Sequence, residues 1–171
     1  MKISSSVKYA LFAALLVIGC KLLFFFTHSQ FTAIGRYAGL GSLLLLTLPL
    51  SIAFINKRNH ELGGYITLKQ LMRTGLGICL FASLLVAVFD FLYFKFIDHE
   101  ILAYYLSENE RLMREINKPE SEIQLTLNSI REFYTPLSQA TGALTGVLGG
   151  GALLSFFISP LIVRNPPKEN S

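Results

Sequence analysis

The sequence predicts an all-α integral membrane protein: four transmembrane helices, with an extracytoplasmic amphipathic helical hairpin between helices 3 and 4. Three observations lead there. Predominantly apolar stretches cover residues 7–26, 34–55, 71–96 and 138–163, and about 20 such residues cross a hydrocarbon core roughly 30 Å thick. The chain is 52% hydrophobic and 15% charged, with mean hydropathy +0.51, where soluble domains carry about 25% charged residues. The apolar runs are continuous rather than alternating, which argues against a transmembrane barrel. Residues 1–171 read as a single membrane domain, with the hairpin at residues 98–134.

The first span follows Lys2 and Lys8. Val17-Ile18-Gly19-Cys20 resembles a lipoprotein cleavage site, but the run from Lys21 to Phe26 stays apolar past that point, so an uncleaved span is expected. A short polar loop, Thr27 to Arg36, leads to the second span, in which Pro49 lacks the N–H that would close a helical turn and is expected to kink the helix.

Between the second and third spans lies Glu61-Leu62-Gly63-Gly64-Tyr65-Ile66-Thr67-Leu68-Lys69-Gln70, which reads as a helix stop, a reversal and a helix start. Gly63 and Gly64 can adopt the left-handed conformation that ends a helix. Thr67 followed by Gln70 has the spacing of a capping box, in which each residue satisfies an amide left free in the first turn. The third span then runs to Phe96.

From Asp98 the chain becomes charged. Ile101, Leu102, Tyr105, Leu112 and Ile116 form one stripe, Glu110/Arg114 and Arg111/Glu115 stand four apart, and Asp98 is placed to cap the helix. Asn117-Lys118-Pro119 interrupts the pattern. A second helix then carries Ile123, Leu127, Ile130 and Tyr134 on one face. Thr135-Pro136 opens the fourth span, where Ser138, Gly142, Gly146 and Gly150 recur at every fourth position. Small residues at that spacing let membrane helices approach closely, so this row is expected to be a helix-packing face.

The charges give orientation. Lys2, Lys8, Lys57, Arg58, Lys69, Arg73, Arg164 and Lys168 fall in three segments that share one side of the membrane, and cytoplasmic loops carry the Lys/Arg excess. Both termini are therefore expected in the cytoplasm. The net charge of +4 reads as a topology signal, and no nucleic-acid partner is expected. Tyr37, Tyr93 and Tyr134 on the outer side and Tyr9 and Tyr65 on the inner side suit an interfacial belt.

Glu61-Leu62-Gly63-Gly64-Tyr65-Ile66-Thr67, the later Tyr93-Phe94-Lys95-Phe96-Ile97-Asp98, and Tyr134-Thr135-Pro136 before a glycine-rich span together resemble a bacterial family. It consists of small four-helix membrane proteins catalogued as a domain of unknown function, number 4199. The resemblance covers most of the chain and implies a multi-pass protein of the bacterial inner membrane. It carries over no functional residue.

Among the ionisable residues inside the apolar runs, Lys21 in the first span and Asp90 in the third stand out. Such groups are costly in a bilayer and call for a partner or a polar cavity. Both follow small-residue faces at similar depth, which makes them a candidate intramembrane ion pair. The competing reading has Lys21 snorkelling to the headgroups and Asp90 meeting water. His28 and His99 beside Asp98 and Glu100 lack the spacing of a metal site, because consecutive helical side chains diverge. Cys20 and Cys79 are expected to be inert thiols at different depths. No catalytic, cofactor-binding or metal-ligating set is expected, and none of the motifs of hydrolases or nucleotide-binding loops occurs.

The leading expectation is a small structural or accessory membrane protein, not an enzyme, whose hairpin contacts a partner or the membrane surface. Its partners would be the lipid bilayer, and a protein or second copy met through the hairpin or the glycine-rich fourth helix. The alternative is a small transporter or channel component built on Asp90.

Overall fold

A computed structural model describes residues 5–32, 35–98 and 100–165. Lys2, Ile34, His99, Lys168 and the side chain of Arg36, all used in the reading above, lie outside what is described. The described chain is helical, with no strand beyond one isolated two-residue bridge between Ile66 and Arg164. In order, the helices are α1 (Ser5–Phe26), α2 (Ala38–Leu45), α3 (Thr47–Asn56), α4 (Leu68–Phe96), α5 (Glu100–Glu115), α6 (Glu120–Phe133) and α7 (Pro136–Ile162).

Four segments are long and apolar enough to cross a membrane: Ser5–Phe26, Ala38–Glu61, Leu68–Phe96 and Pro136–Ile162. The shortest, with 22 residues, spans about 33 Å at the helical rise of roughly 1.5 Å per residue. Their surfaces are arranged as lipid demands. Leu11, Leu15 and Leu23 of α1, Leu80, Leu84 and Val88 of α4, and Leu153, Phe157 and Leu161 of α7 face outward, while Ala13, Ala14, Ser83, Ser155 and Ser159 are buried. Large apolar side chains thus face outward along the spans, while small residues are buried beside larger ones such as Leu50, Phe54 and Ile78. Without a hydrophobic drive between helices, close backbone approach supplies the packing. The molecule is an all-α membrane protein.

Helix ends follow local chemistry. At the end of α1 the Thr27 hydroxyl donates to the carbonyl of Leu23 (2.7 Å), and His28 turns left-handed at φ 52°, which stops the helix. Pro49 cannot donate to the carbonyl of Leu45, four residues earlier. The second span is interrupted at Leu46, between α2 and α3, where the Leu46 N–H bonds to Leu43 instead (3.0 Å). After α3 the chain widens into a single π-helical turn, Lys57–Glu61.

The chain groups into two compact units. The first contains α1, α2, α3, the reversal, α4 up to Val86 and α7 from Leu144; the second is Ala87–Ala143. In the first unit α1 packs on α2 and α3 through Ala10, Ala13, Ala14 and Val17. In the second, α5 lies against α6.

Candidate functional site

Within the first unit the reversal is built from the residues that the sequence singles out. Gly63 and Gly64 have φ of 64° and 96°, values that a side chain would strain. The Thr67 N–H donates to Oε1 of Gln70 (2.9 Å), and the Gln70 N–H points back to the Thr67 hydroxyl (3.4 Å). Together they close the first turn of α4. The following segment is tied to the far end of the chain. The Ile66 N–H donates to the Arg164 carbonyl (2.8 Å), and the Arg164 N–H returns to Ile66 (3.0 Å). Arg58 donates to the carbonyl of Ile162 (3.3 Å), one of the acceptors that a helix C-terminus leaves free. Lys57 donates to the Thr74 hydroxyl (2.9 Å), and the Arg164 guanidinium lies 5.7 Å from the centre of the Tyr65 ring.

In the first unit the close-packed face of α7 includes one member of the row that spacing suggests, Gly150. A methyl group added at Gly142 or Gly146 would meet nothing within 4 Å, while at Gly150 it would come within 2.6 Å of Leu43. Ser138 sits half-buried in the first turn, its N–H donating to the Thr135 hydroxyl (3.3 Å). A second tight contact in the first unit runs one residue on. Gly151, Ser155 and Ser159 are buried, with Gly151 against Cys79 and Ser155 against Gly75. The hydroxyls of Ser155 and Ser159 turn back to the carbonyls of Gly151 (2.8 Å) and Ser155 (2.6 Å). Each polar group is thereby satisfied inside its own helix, which permits a serine stripe in a dry contact. Spacing alone identifies a small-residue face but not its neighbour; here Gly75 and Cys79, on the small-residue face of α4 that leads up to Asp90, complement Gly151 and Ser155.

Lys21 lies half-buried on α1 in the first unit, and Asp90 lies on α4 in the second, 5% exposed. Cys79 is buried and Cys20 half-buried. Among the described residues, no group of three or more His, Cys, Asp or Glu side chains is placed to hold a metal ion.

The second unit is organised around a carboxylate. Asp98 is buried; its Oδ1 accepts from the Ile101 N–H (3.1 Å), capping α5, and its Oδ2 accepts from the Tyr93 hydroxyl (2.8 Å). Tyr93 is 1% exposed, so it belongs to the core of this unit rather than to an interfacial belt. A buried tyrosine needs a partner for its hydroxyl, and Asp98 supplies one. The pair was missed because residues five apart fall outside the helical three-and-four pattern. They meet only because α4 ends between them. Tyr134 stacks on Tyr105 with ring centres 5.1 Å apart and borders Phe94 at 6.3 Å. Burial, reinforced by Tyr105, pushes the Tyr134 phenol well above its ordinary range.

Beyond this aromatic layer, α5 and α6 form the hairpin. Asn117 turns left-handed at φ 54° between them. Arg114 reaches Glu110 on its own helix (2.9 Å) and Glu120 on the next (2.9 Å). Arg111 pairs with Glu108 (2.8 Å) and with Glu115, and Lys118 with Glu122 (2.9 Å). Ile123 and Leu127 are buried. By contrast Ile116, Leu125 and Phe133 are 65%, 68% and 61% exposed. The result is a surface whose charges are largely satisfied among themselves and whose apolar residues are not covered by the hairpin.

The model of a family described as Protein of unknown function (DUF4199) matches residues 7–165. None of the curated proteins and none of the solved structures compared with the chain matches it.

Proposed function

The chain belongs to the DUF4199 family, described as of unknown function, and from that premise we propose that it is a small structural or accessory protein, not an enzyme. Its α5–α6 hairpin contacts a protein partner or the membrane surface. We place it in the bacterial inner membrane with both termini in the cytoplasm and the hairpin on the opposite side, a reading supported by the clustering of Lys57, Arg58, Lys69, Arg73 and Arg164 at one end. The observation that carries the function is the hairpin surface. Arg111, Arg114 and Lys118 spend their charge on neighbouring glutamates, while Leu125 and Phe133 stand exposed. Exposed apolar groups framed by polar ones mark interaction surfaces.

A photo-crosslinking side chain placed at Leu125 or at Phe133 in native membranes tests this. A discrete protein adduct, or a lipid adduct, is expected at both positions. Reaction with solvent alone would remove the hairpin from the function.

A second reading, a small transporter or channel component, is favoured by the burial of Asp90 inside α4, because ionisable groups within spans often line ion or proton routes. It requires Asp90→Asn to abolish the cellular phenotype without lowering thermal stability. It also requires a cysteine at position 90 to react with a water-soluble maleimide in a background lacking Cys20. Protection from that reagent would reject it.

A further inference from the structure

At the end of the first unit where α3 stops, α4 starts and α7 stops, five basic side chains are gathered by the fold. Lys57 and Arg58 leave α3, Lys69 and Arg73 lie in the first turns of α4, and Arg164 follows α7. They are brought together by the Ile66–Arg164 bridge, the Arg58 bond to Ile162 and the Lys57 bond to Thr74. Lys69 and Arg73 stand four residues apart, within roughly 6 Å along the axis of α4. Glu61 is the one carboxylate in residues 56–74 and 160–165, and among the described residues none of the five cations forms an ion pair with a carboxylate. Contrast the hairpin, where three cations are matched by five glutamates. Tyr65, 40% exposed under the Arg164 guanidinium, adds an amphipathic ring of the kind that sits at headgroup level.

We propose that this basic collar is a binding site for the phosphate of an anionic phospholipid headgroup. Arg164, Lys69 and Arg73, all exposed, engage the phosphate. Lys57 and Arg58, half-buried and held by hydrogen bonds, supply fixed positive charge behind it. The location selects a lipid over a soluble anion. The collar sits where membrane-spanning helices end, at the level where a phosphodiester is already concentrated in two dimensions, and guanidinium and ammonium groups there attract anionic leaflets. The site is at the reversal, independent of the hairpin, so it stands or falls apart from the function proposed above.

Purified full-length protein is delipidated in a neutral detergent, and its thermal midpoint is read with added phosphatidylglycerol, phosphatidylcholine or inorganic phosphate. Phosphatidylglycerol is expected to raise the midpoint by about 5–10 °C, as saturating a folded-state site does, and phosphatidylcholine by much less. Lys69→Gln with Arg73→Gln, which removes no hydrogen bond, is expected to lose most of that shift; Lys95→Gln with Arg131→Gln, equal in charge, is expected to keep it. Equal shifts from both lipids, a full effect from inorganic phosphate, or equal losses in the two double variants would each overturn the proposal. Native mass spectrometry of the unmodified protein gives an independent check. Phosphatidylglycerol adducts should survive competition with phosphatidylcholine, and their displacement at equal concentration would also overturn it.

Discussion

The main chains of Ile66 and Arg164 bond to each other in both directions, at 2.8 and 3.0 Å. They join the residue just before the α4 cap to the segment just after α7. This reciprocal pair is the only strand-like contact among the described residues, and it closes the first unit at its basic end. Arg164→Pro removes the donor of one of the two bonds, whereas Arg164→Ala keeps both. Loss of a backbone bond with its acceptor left behind costs about 1–3 kcal/mol. The proline variant is expected to lower the thermal midpoint in detergent by several degrees and the alanine variant to leave it nearly unchanged. Equal midpoints for the two would show that the bridge contributes nothing to stability.

The reversal is the part of the molecule most legible in the sequence, because its physics is local. Gly63 and Gly64 are left-handed, and Thr67 bonds to Gln70, within a few residues of one another. Their conformations follow from backbone sterics and from a fixed spacing. The bridge to Arg164 is not legible, since nothing in either segment names its distant partner. The same limit applies to α7. Glycine spacing marks a small-residue helix, but the choice of Gly151 and Ser155 over Gly142 and Gly146 depends on Gly75 and Cys79 of α4. Tyr93 and Asp98 escape for a third reason: their hydrogen bond needs the helix to end, and periodicity describes only helices that continue.

Thr67→Ala is expected to cost about 1 kcal/mol, typical of a lost N-cap. Gly63→Ala should cost about 1–2 kcal/mol because φ is 64° there. The two should add, since one acts on the start of α4 and the other on the chain before it. Denaturant unfolding of single and double variants in detergent checks both values. A Gly63→Ala variant as stable as the parent would mean that the reversal relaxes to another conformation at no cost.

Packing on α7 yields a paired comparison. A methyl at Gly75 would lie 2.8 Å from the Ser155 Cβ, and at Gly151 it would press on Cys79. Overpacking of this kind costs about 1–3 kcal/mol. At Gly146 the same methyl meets open space, and replacing a helical glycine there should stabilise by about 0.4–1 kcal/mol through the unfolded chain. Gly75→Ala and Gly151→Ala are therefore expected to lower the thermal midpoint, and Gly146→Ala to hold or raise it. The opposite order would move the close-packed face back to the row through Gly146.

The second unit should respond to pH at both extremes, with opposite signs. Tyr134 has its phenol pKa raised in the folded protein by burial and by Tyr105. Its contribution to stability is therefore complete below the ordinary tyrosine value near 10 and is lost as pH rises above it. Glu120 is shifted down by its hydrogen bond from Gln124 and by Arg114, so its contribution is complete above the ordinary carboxylate range and is lost as pH falls through the folded value. Tyrosinate absorbance on an alkaline titration should show one fewer late-ionising phenol in Tyr134→Phe than in the parent protein. At the acid end, Glu120→Gln should flatten the fall in thermal midpoint. Salt should weaken the acid effect, because Arg114 and Glu120 are exposed and screened, and should leave the tyrosine effect largely intact, because burial is its first cause. A parent protein that loses both effects equally in high salt would place Tyr134 at an open surface instead of under Tyr105.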